Sequence, residues 1–352
     1  MRIKEIFRYI SIFGTLLVVA ACSSDDDGDF IPAPDNDRGE QQATDIALIE
    51  TYLSTHYYNS GFFETGTNHT VDDIFITELQ DGESVPDGHT LLIDSPNLVE
   101  AEQLFEETTY TYYYLLLNEG GGSESPNFTD KVRVAYEGSL LSDSSVFDSA
   151  PTPLDFDLVG FGAGGLIKGW QYVLPEFNTA LDFTTGSNGV NYNDFGLGVM
   201  FIPSGLAYFS TGTISGVPSY SNLVFKFALY QTEENDHDND GVPSYLEDLD
   251  NDLDAFTDDT DGDLFANYID TDDDGDGVLT INELLPKTYT VDTSMGEEEP
   301  ELADNEFERS RSESNGIITI NTVTIIDTDN SDNNNIPNYL DPNITIDYSD
   351  NS

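Results

Sequence analysis

Apolar residues recur at Ile46, Ile49, Leu53 and Tyr57, a helical spacing, behind Thr44 and Asp45, either of which can cap a helix start. That spacing predicts an amphipathic helix over 44–57. Residues 60–104 mix short apolar runs with turn residues and carry no assignable function. From Tyr110 to Leu117 the chain is rich in aromatic and β-branched residues, and Gly120-Gly121-Gly122 ends the run, which predicts a strand. Lys131-Val132-Arg133-Val134-Ala135-Tyr136 alternates polar and apolar positions, as a strand with one buried face does. Phe156-Asp157-Leu158, Val199 to Ile202 and Asn222 to Tyr230 extend the set. Leu166 to Leu174 has the length for one short helix, stopped by Pro175, whose ring cannot continue it. The pattern predicts an α+β fold, an antiparallel twisted sheet wrapped on one short helix, followed by mostly irregular acidic repeats.

The first residues follow a different logic. Arg2, Lys4 and Arg8 precede an apolar run from Ile10 to Ala21 that is too short to span a bilayer, and Val19-Ala20-Ala21 leads into Cys22. This order resembles a bacterial lipobox, which implies removal of residues 1–21, lipid attachment at Cys22 and anchoring in the bacterial outer membrane, facing the periplasm or the cell surface. Ser23-Ser24-Asp25-Asp26-Asp27 resembles the acidic surface-export signals of some lipoproteins, and a plain solvated tether is the alternative. Cys22 is the single cysteine, so no disulfide forms within the chain. The resulting division is a signal peptide at 1–21, an acidic tether at 22–43, an accessory region with one helix at 44–104 and a sheet domain at 105–232. Acidic repeats at 233–287 and an acidic tail with a degenerate terminal repeat at 288–352 complete it.

Charge narrows the partners. The net charge is -57 with 11 basic residues, which excludes nucleic acid, because neutralising phosphates takes Lys and Arg. Residues 233–352 hold 35 acids against Lys287, Arg309 and Arg311, a density that opposes compaction unless cations neutralise it. Asp236, Asp238, Asp240, Gly241 and Glu247 match the twelve-position loop that wraps calcium, and Asp272, Asp274, Asp276, Gly277 and Glu283 match it again. Val242 and Val278 would add backbone carbonyls, with Ser244 and Thr280 at the ninth position. Asp259, Asp261, Asp263 and Asp270 form a partial third match in which Leu264 replaces the turn glycine. Val242–Glu247, Phe265–Asp270 and Ile336–Asp341 recur as short related units that resemble thrombospondin type 3 repeats, which implies structural Ca2+ in place of a hydrophobic core. A disordered acidic tail that binds cations loosely is the alternative. His237 falls on a non-ligand position and is expected in solvent.

Five segments carry the remaining chemistry: Tyr136-Glu137-Gly138, Phe147-Asp148-Ser149, Leu166-Ile167-Lys168-Gly169-Trp170, Ile202-Pro203-Ser204-Gly205-Leu206-Ala207-Tyr208 and Leu223-Val224-Phe225. In this order, from about Thr109 to Gln231, the chain resembles FKBP-type peptidyl-prolyl isomerases. The resemblance implies that Trp170 floors a pocket walled by Tyr136, Phe147, Leu166, Ile167 and Phe225, with Leu154 at a further wall position and Ala207 against the substrate. It also implies that the Ile167 N–H and the Tyr208 hydroxyl hold substrate carbonyls while Asp148 faces the pocket near Tyr136. No cofactor is implied for catalysis, and the partners are proline-containing polypeptides.

Ala150-Pro151-Thr152-Pro153 stands where the family often carries a basic residue, and Phe209 stands where glycine commonly follows Ala-Tyr. Gly186, Asn188 and Gly189 mark an inserted loop expected beside the pocket. Aromatics at these positions can also simply fill a core. The reading is an envelope-anchored isomerase that assists folding of exported proteins and carries a calcium-binding module. The alternatives are a proline-segment binding module without turnover and a calcium-dependent surface adhesion lipoprotein.

Overall fold

Every side chain from Gly196 to Ile202 is buried, and alternate residues serve opposite faces: Leu197, Val199 and Phe201 join one apolar cluster, Met200 and Ile202 another. A strand buried on both sides needs cover on both sides, and that requirement organises the molecule. The computed structural model describes residues 34–160, 166–186, 189–211, 216–303, 305–325 and 336–351. The signal segment and Cys22 lie outside the described residues.

Helix α1 spans Arg38–Thr55 and covers one face with Ile49, Tyr52 and Leu53. It starts at Arg38, inside the stretch expected as tether, because the Asp37 side chain accepts the Glu40 N–H at 2.9 Å and caps it there. Asp45, expected as a cap, is fully buried instead. Short strands β1 (His56–Tyr58), β2 (Ile76–Glu78) and β3 (Thr90–Leu91) follow, in the order β2-β1-β3. Strands β4 (Leu98–Phe105), β5 (Thr108–Asn118), β6 (Lys131–Leu140) and β7 (Val146–Asp157) come next. Helix α2 (Lys168–Val173), the exposed hairpin β8 (Asp182–Gly186) and β9 (Gly189–Asn193), β10 (Gly196–Ile202) and β11 (Leu223–Glu233) complete this part.

The main sheet runs β4-β5-β10-β11-β6-β7, antiparallel throughout. Helix α2 covers the second face, continued by a 3-10 turn over Leu174–Glu176 that contains Pro175. The antiparallel sheet with few helices matches the expected class. The accessory region, which had no assigned role, packs on the face opposite α2. Burial of Ile49 and Leu53 there is worth about 1.5–3 kcal/mol each.

The Asp45 carboxylate ties this layer to the turn after β10. Its Oδ2 accepts the Ser204 N–H at 2.9 Å and the Ser204 hydroxyl at 2.5 Å, and its Oδ1 accepts the Gln41 amide at 2.7 Å. Burial pushes its pKa up from 3.8 despite these bonds. The folded chain therefore holds this proton more tightly than the unfolded chain does, and the stability Asp45 contributes falls as pH rises from 3.8 through the raised folded value. We expect Asp45→Asn to remove that pH dependence. Asp45→Ala should cost about 1–3 kcal/mol by orphaning the Ser204 donors. Denaturant unfolding at acidic and neutral pH reads both.

Two further expectations change. Tyr192 packs on Tyr230 at 4.6 Å and donates to Gln231 at 2.9 Å, so the inserted hairpin sits at the Tyr230 end of β11 and not at Phe225. The stretch expected as acidic tail forms a sheet, in the order β12-β14-β13, from β12 (Leu285–Asp292), β13 (Glu306–Ser314) and β14 (Ile317–Thr324). Alternating Ile318, Ile320 and Thr322 turn inward and build it, a period-two signal hidden by the surrounding acids. Before it, the one-turn helix α3 covers Thr280–Glu283.

Candidate functional site

Helix α2 and strands β6, β7 and β11 converge on one aromatic cluster. Trp170, on α2, meets Phe225 at 5.0 Å and Tyr136 and Phe227 each at 5.7 Å, all in tilted or edge-on contacts that aromatic pairs favour. Phe147 stands edge-on to Phe225 at 5.6 Å. The close approach depends on Gly138, because a Cβ there would lie 2.5 Å from the Phe225 ring and 2.9 Å from that of Phe147. The indole itself is 3% exposed, and the half-buried Phe147, Leu166, Ala207 and Tyr208 rim it. Segments 161–165 and 212–215, which adjoin Leu166 and Thr211 in sequence, lie outside the described residues.

Polar groups edge this cluster. The Tyr136 hydroxyl donates to Asp148 Oδ2 at 2.6 Å, and burial followed by this bond holds the phenol strongly protonated. Burial, then the Asp148 charge, also raises Tyr208. Ile167 caps the start of α2. Lys168 next to it reaches Asp254 at 3.1 Å, joining the site to the acidic region. Leu154 is exposed and outside the cluster. Phe156, paired with Val132 and two residues along β7 from Leu154, lies instead 5.6 Å from Tyr136. An aromatic two residues along the same strand face was the available signal. A recess of about 460 Å³ opens on the α1 side, lined by Tyr52, His56, Glu78, Leu141 and Ser144 among others, and touches none of the predicted site residues.

Among the described residues, four loops of the acidic region share one hydrogen-bond pattern. In each, a carboxylate at position one accepts the N–H of position six: Gly241 to Asp236, Leu253 to Asp248, Leu264 to Asp259 and Gly277 to Asp272, at 2.9–3.2 Å. Positions three and five then accept the N–H groups two residues on, as at Asp238 and Asp240 or Asp274 and Asp276. The Asp248 loop, absent from the sequence matches, carries Leu253 at its glycine position, and its twelfth residue, Asp259, also opens the next loop. Leu253 and Leu264 adopt the left-handed backbone that Gly241 and Gly277 adopt, at φ +65° and +85°. Leu264 is fully exposed, so Leu264→Gly should relieve strain and gain about 1 kcal/mol, measured by thermal unfolding.

Carboxylates gather as Asp238, Asp240, Glu247 and Asp273, as Asp248, Asp250 and Asp252, as Asp259, Asp261 and Asp263, and as Asp272, Asp274 and Asp276. Glu247 keeps both oxygens buried without a hydrogen-bond partner, and Asp240, Asp274, Asp276 and Glu283 keep one each. Burial first, then neighbouring carboxylates, pushes Asp238, Asp240 and Glu247 upward, and takes Glu283 to about 9 and Asp273 to about 10. Such groups fit a hard cation with oxygen ligands. Ser244 and Thr280, expected at the ninth ligand position, accept the N–H of His237 and Asp273. His237 is buried rather than solvated: its Nε2 lies 3.1 Å from Asp157 at the end of β7 and its Nδ1 2.8 Å from Ser244.

A protein-family model described as BamM C-terminal matches residues 237–306. The chain is 35% identical over 103 residues to the peptidyl-prolyl cis-trans isomerase FPR2 of Saccharomyces cerevisiae, covering 28% of this chain and 63% of that protein. It is 30% identical over 121 residues to the FKBP-type 22 kDa peptidyl-prolyl cis-trans isomerase of Escherichia coli, covering 34% and 48%. Among solved structures, a peptidyl-prolyl cis-trans isomerase from Pseudomonas syringae aligns at 23% identity over 40% of this chain and 84% of that one, with a TM-score of 0.29. FkpA from Escherichia coli aligns at 30% identity over 35% and 48%, with a TM-score of 0.27. Over about a third of its length the chain is homologous to FKBP-type peptidyl-prolyl isomerases, and it spans 63% and 48% of the curated relatives it matches.

Proposed function

We propose that residues 105–232 isomerise X-Pro bonds in exported polypeptides, held at the bacterial outer membrane through Cys22, while the acidic region binds calcium structurally. The observation that carries the catalytic part is the convergence of Trp170, Tyr136, Phe225 and Phe147 with the Asp148–Tyr136 hydrogen bond, within the homologous third of the chain. Rotation about the peptide bond meets a barrier of about 18–20 kcal/mol because resonance is lost. The twisted amide is less polar than the planar one, so a dry aromatic cradle favours it. The Ile167 N–H and the Tyr208 hydroxyl would fix one end of the substrate while the other turns. No strong base and no covalent intermediate enter this scheme.

For the acidic region, Asp238, Asp240 and Glu247 in the Asp236 loop and Asp272, Asp274, Asp276 and Glu283 in the Asp272 loop would hold Ca2+, which supplies the positive charge their buried oxygens lack. The near-complete burial of Trp170 favours a second reading of the sheet domain, in which its rim binds proline-containing segments without turnover. A protease-coupled assay on a proline tetrapeptide with the full chain separates the two. The first reading expects a rate above the uncatalysed one, reduced by Asp148→Ala. An unchanged rate with measurable peptide binding would select the second.

A further inference from the structure

We propose that Asp273, which belongs to the loop opened by Asp272, is a ligand of the cation held by the first loop, opened by Asp236. The inference rests on the calcium reading above and extends it from separate loops to a shared site.

Asp273 occupies position two of its loop, where the others carry His237, Leu249 and Thr260. Its backbone behaves as theirs does: the Asp273 N–H donates to the Thr280 hydroxyl at 3.2 Å, as the His237 N–H donates to that of Ser244 at 3.1 Å. Its side chain leaves the loop. One carboxylate oxygen from each of Asp238, Asp240, Glu247 and Asp273 lies within 4.8 Å of the others. Asp236, which opens the first loop, is outside that group: its Oδ2 takes the Arg309 guanidinium at 2.8 Å, and its Oδ1 is buried without a partner. Asp273 supplies the fourth carboxylate of the group.

Burial gives this cluster its second line of support. Glu247 and Asp273 are each 1% exposed, and neither oxygen of either one has a hydrogen-bond partner. Asp240 is equally buried and keeps Oδ2 unpaired. Removing four carboxylates from water without a counter-charge is strongly unfavourable, and a divalent cation bound by oxygens offsets it. Tyr339, buried against Val242, closes the terminal segment over the same region. A cation there would tie the Asp236 loop to the Asp272 loop across the chain.

Calcium titration of the full chain by calorimetry tests the assignment. Asp273→Asn should weaken one class of site at least tenfold while Asp276→Asn, within the Asp272 loop's own ligands, leaves that class intact and weakens another. If Asp273→Asn binds calcium as the wild type does and only gains thermal stability, Asp273 is a buried protonated acid and the proposal fails. If the wild type takes up no calcium at all, the calcium reading fails with it, before Asp273 is tested. Crystals soaked in terbium give a check that needs no variant. An anomalous peak bonded to Glu247 and Asp273 supports the shared site, and a peak held by Asp236, Asp238, Asp240 and Glu247 without Asp273 overturns it.

Discussion

With Trp170 replaced by alanine, catalysed X-Pro isomerisation is expected to fall to the uncatalysed rate, and the sheet domain to lose about 3–5 kcal/mol of stability. Both effects come from one position, because the indole contacts Tyr136, Phe225 and Phe227 within 5.0–5.7 Å and is the surface on which a proline ring would rest. Alanine leaves a cavity that these rings cannot fill without moving, and the rim residues Phe147 and Leu166 lose their support. Trp170→Phe separates chemistry from folding. It keeps an aromatic contact and most of the stability, while activity drops roughly tenfold, the equivalent of about 1.4 kcal/mol of lost transition-state contact. Circular dichroism during urea unfolding reads the stability and the protease-coupled assay the rate. Activity that survives Trp170→Ala would remove the indole from the mechanism.

The second large effect is expected from chelation. With calcium at a hundred times its dissociation constant, each occupied loop stabilises the folded chain by about 2.7 kcal/mol, so stripping several loops approaches the whole stability of a domain. The acidic region has little else to replace that contribution. Its apolar clusters are small: one is built on Val242, Leu284, Val323, Ile325 and Tyr339, one on Val291, Ile318 and Ile320, and a third, on Ala255, Ala266 and Tyr268, includes Phe128 and Val159 of the sheet domain. Scanning calorimetry of the full chain should show one transition moving down by at least 10 °C with EDTA, about what loss of a few kcal/mol does to a small domain. Glu247→Gln should reproduce part of that shift in the presence of calcium. Coincident traces with and without EDTA would contradict the structural role assigned to the metal.

Legibility in the sequence followed the physical strength of each local signal. The β6 alternation and the α2 segment ending at Pro175 were readable, because period and a helix-stopping ring act within a few residues. The start of α1 was misplaced because Asp37 caps it from within a polar stretch, and Asp45 resembled a cap while serving a turn 159 residues away. Leu154 reads as a wall residue because a strand taken alone does not show which side chain meets the Tyr136 ring; in the fold that is Phe156, and Leu154 is exposed. The Asp248 loop and the sheet from β12 to β14 were hidden for opposite reasons. The Asp248 loop has leucine at the glycine position and also shares Asp259 with the loop after it, and acidic flanks mask an alternating strand. Asp273 was invisible as a possible partner of the first loop, because only folding brings it to Glu247.

The central claim is that an indole-floored aromatic cradle holds a proline ring while the preceding bond turns. Trp170 is the single tryptophan of the chain, so its indole signal is unambiguous. Exchange spectroscopy by NMR on a proline tetrapeptide mixed with the full-length protein reports both halves of that claim in one sample. The account predicts cis–trans exchange cross-peaks absent from peptide alone, together with magnetisation transfer between the proline ring and the indole of Trp170. Peptide that exchanges no faster with protein than without, and shows no transfer to the indole, would contradict it.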